Sequence, residues 1–149
     1  MKTFLIASAF VGVFAWSVAA QDTKVQQKDL PAPVQKAAQA ELAKGGKLVG
    51  YGKEVENGKT EYEMETIVNG HTRDLLFDAT GKLLEVEEEV AREAVPPAVS
   101  KAIGAKGTYT KIESVTKNGT LVGYESIVKN KAGKNVEVMV DATGKAAKF

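Results

Sequence analysis

The chain has 149 residues, 26% of them charged and 44% hydrophobic, with no cysteine and a formal net charge of +1. That length holds one medium domain or two small ones. The balanced charge excludes a basic nucleic-acid binder, and the missing cysteines exclude a disulfide framework, so a core must supply the stability.

The first expected element is an export signal, residues 1–20. Lys2 gives a positive start, Phe4 to Trp16 is apolar, and Val18-Ala19-Ala20 ends in the small residues that signal peptidases accept. The apolar run is shorter than the roughly 20 residues of a spanning helix. The expected product is periplasmic or secreted, with no membrane span after signal removal. It has 129 residues, with 19 bases and 19 acids. Its six aromatics, Tyr51, Tyr62, Phe77, Tyr109, Tyr124 and Phe149, argue against an aromatic-lined cofactor pocket, and no cofactor is expected.

The rest of the chain repeats itself. Asp78-Ala79-Thr80-Gly81-Lys82 recurs as Asp141-Ala142-Thr143-Gly144-Lys145, Asn57-Gly58 as Asn118-Gly119, Tyr62-Glu63 as Tyr124-Glu125, and Leu30-Pro31 as Val95-Pro96. The order is kept and the offsets stay between 61 and 65. Two copies are expected, over residues 21–90 and 91–149.

Each copy starts with a proline-led helix. Pro31 and Pro33 open the first, Val34, Ala38 and Leu42 share one face, and Gly45-Gly46 stops it. Pro96-Pro97 opens a shorter helix through Ile103. Four strands should follow in each copy. The first covers 48–55 and 109–116, and an Asn-Gly turn leads to the second. Residues 60–68 alternate, with Tyr62, Met64, Thr66 and Val68 on one face and Glu61, Glu63, Glu65 and Ile67 on the other. The third strand covers 72–77 and 135–140. The Asp-Ala-Thr-Gly-Lys turn then leads to the fourth, 83–89 and 146–149. The expected fold is α+β. Two α-β-β-β-β repeats form one antiparallel sheet, with both helices on one face and the other face open.

The stretches "NGKTEYEMETIVNG" and "RDLLFDATGKLLEVEEE", with "NGTLVGYESIVKN" and "VEVMVDATGKAAKF" in the second copy, resemble a PepSY domain. With the "LPAPV" and "VPPAV" helix starts in tandem, the chain is similar to the PepSY-like family related to beta-lactamase inhibitor proteins. That resemblance implies an exported, non-enzymatic module that binds a protein, as an inhibitor or regulator of a peptidase or another envelope enzyme.

No active site is expected. His71 is the only histidine and sits beside the Asn69-Gly70 turn. There is no Gly-x-Ser-x-Gly elbow, and one histidine without cysteines falls short of a zinc set. Gly81-Lys82 and Gly144-Lys145 lack the rest of a phosphate-binding loop. The row Glu61, Glu63, Glu65 and the group Glu85, Glu87, Glu88, Glu89 read first as solvated strand faces. The alternative is small-ligand or metal-ion binding by the acidic face of the first repeat. Residues 21–90 hold nine bases and fourteen acids, and residues 91–149 hold ten bases and five acids. Opposite signs favour docking of the copies on each other, and weak self-association is a further expectation. Parity places Leu76 and Met139 on the open face, beside Glu61, Glu63, Glu125 and Ile127. These six are the candidate partner contacts.

Overall fold

The computed structural model describes residues 23–56 and 58–148. The expected signal segment, Asn57 and Phe149 lie outside them. Among the described residues, besides two single 3-10 turns, two α-helices and eight strands follow in chain order. They are β1 (Thr23–Val25), α1 (Ala32–Leu42), β2 (Lys47–Glu56), β3 (Lys59–Val68), β4 (His71–Asp78), β5 (Leu83–Glu89), α2 (Pro97–Gly104), β6 (Glu113–Lys117), β7 (Thr120–Lys129) and β8 (Asn135–Val140). The strands form one antiparallel sheet in the order β1 to β8, so each pairs only with its neighbours in sequence.

Local chemistry explains the elements. Each helix begins after a proline, Pro31 or Pro96, whose missing N–H costs nothing in a first turn. Val34 and Ala38 bury one face of α1, and Val99 and Ile103 bury one face of α2. Gly45 and Gly46 take φ of +118° and +112° beyond α1, a region that glycine enters freely. Asn69-Gly70 and Asn118-Gly119 have positive φ at both residues, the hairpin geometry that matches strand twist. The Asp78 carboxylate accepts from the N–H groups of Thr80 and Lys82 at 2.8 and 3.1 Å. Asp141 repeats this on Thr143 and Lys145 at the same distances. The turn glycines also touch the helices. A Cβ on Gly81 would lie 2.6 Å from the Pro33 carbonyl oxygen, and one on Gly144 2.5 Å from that of Ala98. Gly144→Ala is therefore expected to cost on the order of 2 kcal/mol in a urea titration, and the exposed Gly119 site is its control.

Each copy has its own core. Leu30, Val34, Ala38, Tyr51, Met64, Leu75 and Phe77 form one. Val95, Val99, Ile103, Ile112, Tyr124, Val128 and Val140 form the other. The register puts Tyr51, Met64, Leu75 and Val86 on the same sheet face as Thr116, Ser114, Tyr124 and Val140. This is the face whose residues pack with the helices. The opposite face carries no helix among the described residues.

The copies differ in ways the repeat pattern does not foretell. β1 is an unforeseen edge strand on β2. The expected strand 109–116 forms only from Glu113. The Lys111 carbonyl accepts instead from the Ser126 hydroxyl at 2.6 Å, while Ile112 enters the core and its carbonyl accepts from Val90 N–H at 2.9 Å. The expected strand 146–149 reduces to one bridge, Val140 to Ala146, with a bond from Ala147 N–H to the Met139 carbonyl. The second copy thus has three full strands after its helix.

Candidate functional site

Paired residues in an antiparallel sheet put their side chains on the same face. On the open face, one cross-strand row runs Gly52, Glu63, Leu76, Glu85, Lys117. The next runs Gly50, Glu65, Asp74, Glu87, Val115, Gly123. A third runs Glu89, Glu113, Glu125, Met139. Two of these rows set three carboxylates side by side. Like charges directly opposite destabilise a sheet, so their environment has to compensate.

The six residues singled out in the sequence all lie on this face. Glu61 is opposite Asp78, Glu63 opposite Leu76, Glu125 opposite Met139, and Ile127 opposite Glu137. They are not brought into one cluster. Glu61, Glu63 and Leu76 belong to β3 and β4, and β5 and β6 separate them from Glu125, Ile127 and Met139. Ile127 is 56% exposed, Leu76 and Met139 are half-buried, and Glu125 is buried.

The dense part of the face lies where the copies meet. One carboxylate oxygen from each of Glu87, Glu113 and Glu125 falls within 4.8 Å of the others. Glu113 is 7% exposed and Glu125 8%. The Lys111 ammonium donates to Glu113 at 2.6 Å and to the Thr72 hydroxyl at 3.0 Å. That hydroxyl donates to Glu113 at 3.1 Å, and the Thr72 N–H donates to Glu89 at 3.2 Å. Lys117 pairs with Glu85 at 3.0 Å.

Protonation follows from this packing. Burial, then the charges of Glu125, Glu85 and Glu113, push the Glu87 carboxyl up to about 9. Burial, then Glu137 and Glu113, push Glu125 up to about 7, although the hydrogen bond from Glu87 pulls it down. Burial and Glu113 raise Asp74 to about 6 against the pull of Lys111. Burial and Glu85 raise Glu137. Burial opposes the charge on Lys111, but Glu113, Asp74 and Glu89 outweigh it and hold the ammonium above its ordinary value. Burial and the neighbouring carboxylates therefore favour the protonated form of Glu87, with Glu125 beside it as the acceptor.

The trio has the donor number of a small cation site. Lys111 already meets the charge of Glu113, and burial among carboxylates favours a proton on Glu87. Calcium takes six to eight oxygens, and three carboxylates on an open sheet offer fewer. No residue is assigned as a metal ligand.

His71 starts β4, is exposed, and has Nδ1 3.6 Å from Glu89. It lines a half-open hollow of about 650 Å³ with Arg92, Tyr109 and Lys111. In the sequence Glu87 stands out only as part of a charged strand, and nothing marks Asp74, Lys111 or Glu113. The signal available was parity, since Glu85, Glu87 and Glu89 share a face. Which residues of the second copy oppose them depends on the β5–β6 register.

A model of the beta-lactamase-inhibitor-like, PepSY-like family matches residues 14–85 and again 66–148. No curated protein matches the sequence significantly. Two of the matching solved structures show the shared fold. One is a Bacteroides eggerthii protein described as a candidate periplasmic protein, with TM-score 0.60 and 15% identity, covering 80% of this chain and 86% of its own. The other is a DUF2874 family protein from Bacteroides uniformis, with TM-score 0.59 and 18% identity, covering 79% and 86%. Among the described residues, no helix is long and apolar enough to cross a membrane.

Proposed function

The chain belongs to the beta-lactamase-inhibitor-like, PepSY-like family, and from that premise we propose that it is an exported, non-enzymatic binding module of the cell envelope. It acts by occlusion through its open sheet face. The partner offers a segment bearing lysine or arginine, on a peptidase or another envelope enzyme that the module inhibits or regulates. The observation that carries this reading is the pair of carboxylate rows on the face that bears no helix among the described residues, with Leu76, Ile127 and Met139 on the same face. Complementary charge steers encounter and rejects wrong partners, and apolar side chains give contacts that exclude water. The candidate periplasmic neighbour fits the same compartment. Cation binding within the first repeat is the less supported reading, because two of the three converging carboxylates belong to the second copy.

Affinity capture from the native envelope fraction tests the proposal. The baits are the wild type, Leu76→Asp/Met139→Asp and Glu63→Lys/Glu137→Lys, each checked for folding by circular dichroism. One cationic partner should bind the wild type and leave both variants. Its affinity should fall roughly tenfold as salt rises and screens the face. Equal capture by all three baits, or none by the wild type at low salt, counts against the reading.

A further inference from the structure

β5 ends the first copy and β6 begins the sheet of the second, so their pairing is the joint of the molecule. It covers five residue pairs, Glu85–Glu89 against Glu113–Lys117. One is tied by the Lys117–Glu85 ion pair. Beside it, Glu87 reaches across the joint to the carboxylates of Glu113 and Glu125, both more than nine-tenths buried. Three negative charges cannot share that space without water or a counter-ion.

We propose that a single proton, held between Glu87 of the first copy and Glu125 of the second, is a latch that keeps the β5–β6 seam closed and loosens it on leaving.

The surroundings of Glu87 support this from every side. Asp74 faces it from β4, and behind Asp74 stands Glu65 on β3. Glu85 and Glu89 flank it on its own strand. Glu113 lies across the seam on β6, and Glu137 on β8 adds charge beside Glu125. The cations nearby are committed elsewhere. Lys111 is held by Glu113 and Thr72, and Lys117 by Glu85. A proton is therefore the positive charge left for the Glu87–Glu125 contact. Its hold is strong, since burial and the converging carboxylates raise both Glu87 and Glu125 well above the ordinary carboxylate range. The latch operates whatever the open face binds, and its release also adds negative charge to that face.

The test is a carboxyl-carbon NMR titration of the full chain from pH 5 to 10, with amide hydrogen exchange on the same samples. The ratio of exchange in β5 and β6 to that in β3 and β4 cancels the base catalysis common to all amides. The Glu87 midpoint should fall well above the ordinary carboxylate range. The exchange ratio should rise roughly tenfold through it. In Glu87→Gln the amide donates to Glu125 at every pH, and the ratio should stay flat. In Glu125→Gln the neighbouring charge is gone, and the Glu87 midpoint should drop. A Glu87 midpoint in the ordinary carboxylate range overturns the proposal. So does a wild-type ratio that stays level through the Glu87 midpoint. The wild-type measurement decides even if both variants fail to fold.

Discussion

Raising the pH from 5 to 9 is expected to lower the melting temperature by about 10 °C. Glu87, Glu125, Asp74 and Glu137 all bind their protons more tightly in the folded chain than carboxyls ordinarily do. Unfolded, they titrate near 4.5 for glutamate and 3.8 for aspartate. Between those values and the folded ones, the native state holds more protons, so stability falls as pH rises. The contribution is complete below about pH 4 and lost progressively through 6, 7 and 9. Full linkage at about 1.4 kcal/mol per pH unit would be about 10 kcal/mol, and the coupling of Glu87 with Glu125 together with solvent screening of Asp74 and Glu137 brings the expected loss to about 2–3 kcal/mol. Asp78, Asp141 and Glu89 act in the opposite sense. Hydrogen bonds from Thr80, Thr143 and the Thr72 N–H hold them below their ordinary values, so their contribution is lost as pH falls through those lowered values. The stability maximum should therefore lie near pH 5. Melting curves followed by circular dichroism at constant ionic strength measure it. A flat profile, or a maximum above pH 7, would contradict the assigned protonation.

Phe77→Ala is expected to destabilise the chain by about 3–5 kcal/mol, the largest effect of any single truncation. Phe77 is 1% exposed and is the largest fully buried side chain among the described residues. It packs in the first core with Leu75, Met64 and the α1 residues Val34 and Ala38. The equivalent residue of the second copy is Val140, 3% exposed. Val140→Ala deletes less volume and should cost about 2 kcal/mol. Urea titration of both variants gives the comparison. Equal costs at the two sites would mean that the first core collapses around the Phe77 cavity.

Much of this architecture is legible in particular residues. The alternation over 60–68 names the core face of β3 outright, because a half-buried strand can hide only every second side chain. The paired Asp-x-x-Gly-Lys turns mark strand ends, because their backbone needs an acceptor at the first position and a positive φ at the fourth. The same parity puts Leu76 and Met139 on the open face. The concentration of carboxylates at the seam is not legible. It depends on which residue of 109–117 meets Glu89, and so on the long connection through α2. That register rests on contacts such as Ser126 to the Lys111 carbonyl, which periodicity does not encode. The lost last strand of the second copy is equally hidden, since Ala146-Ala147-Lys148 carries no apolar residue large enough to hold a strand on the core.

The sheet's strictly sequential order also sets how the chain can assemble. Every strand after the first finds its partner already laid down behind it, so no early strand waits for a distant one. Contacts between near neighbours close short loops and form fast. A chain emerging N-terminus first can therefore complete the Phe77 core before the second helix has appeared. The exposed edge of β5 then becomes the template on which Glu113–Lys117 is added. On this route the joint between the copies can form only after Glu113–Lys117 has emerged, and its three carboxylates can converge only once Glu125 has followed.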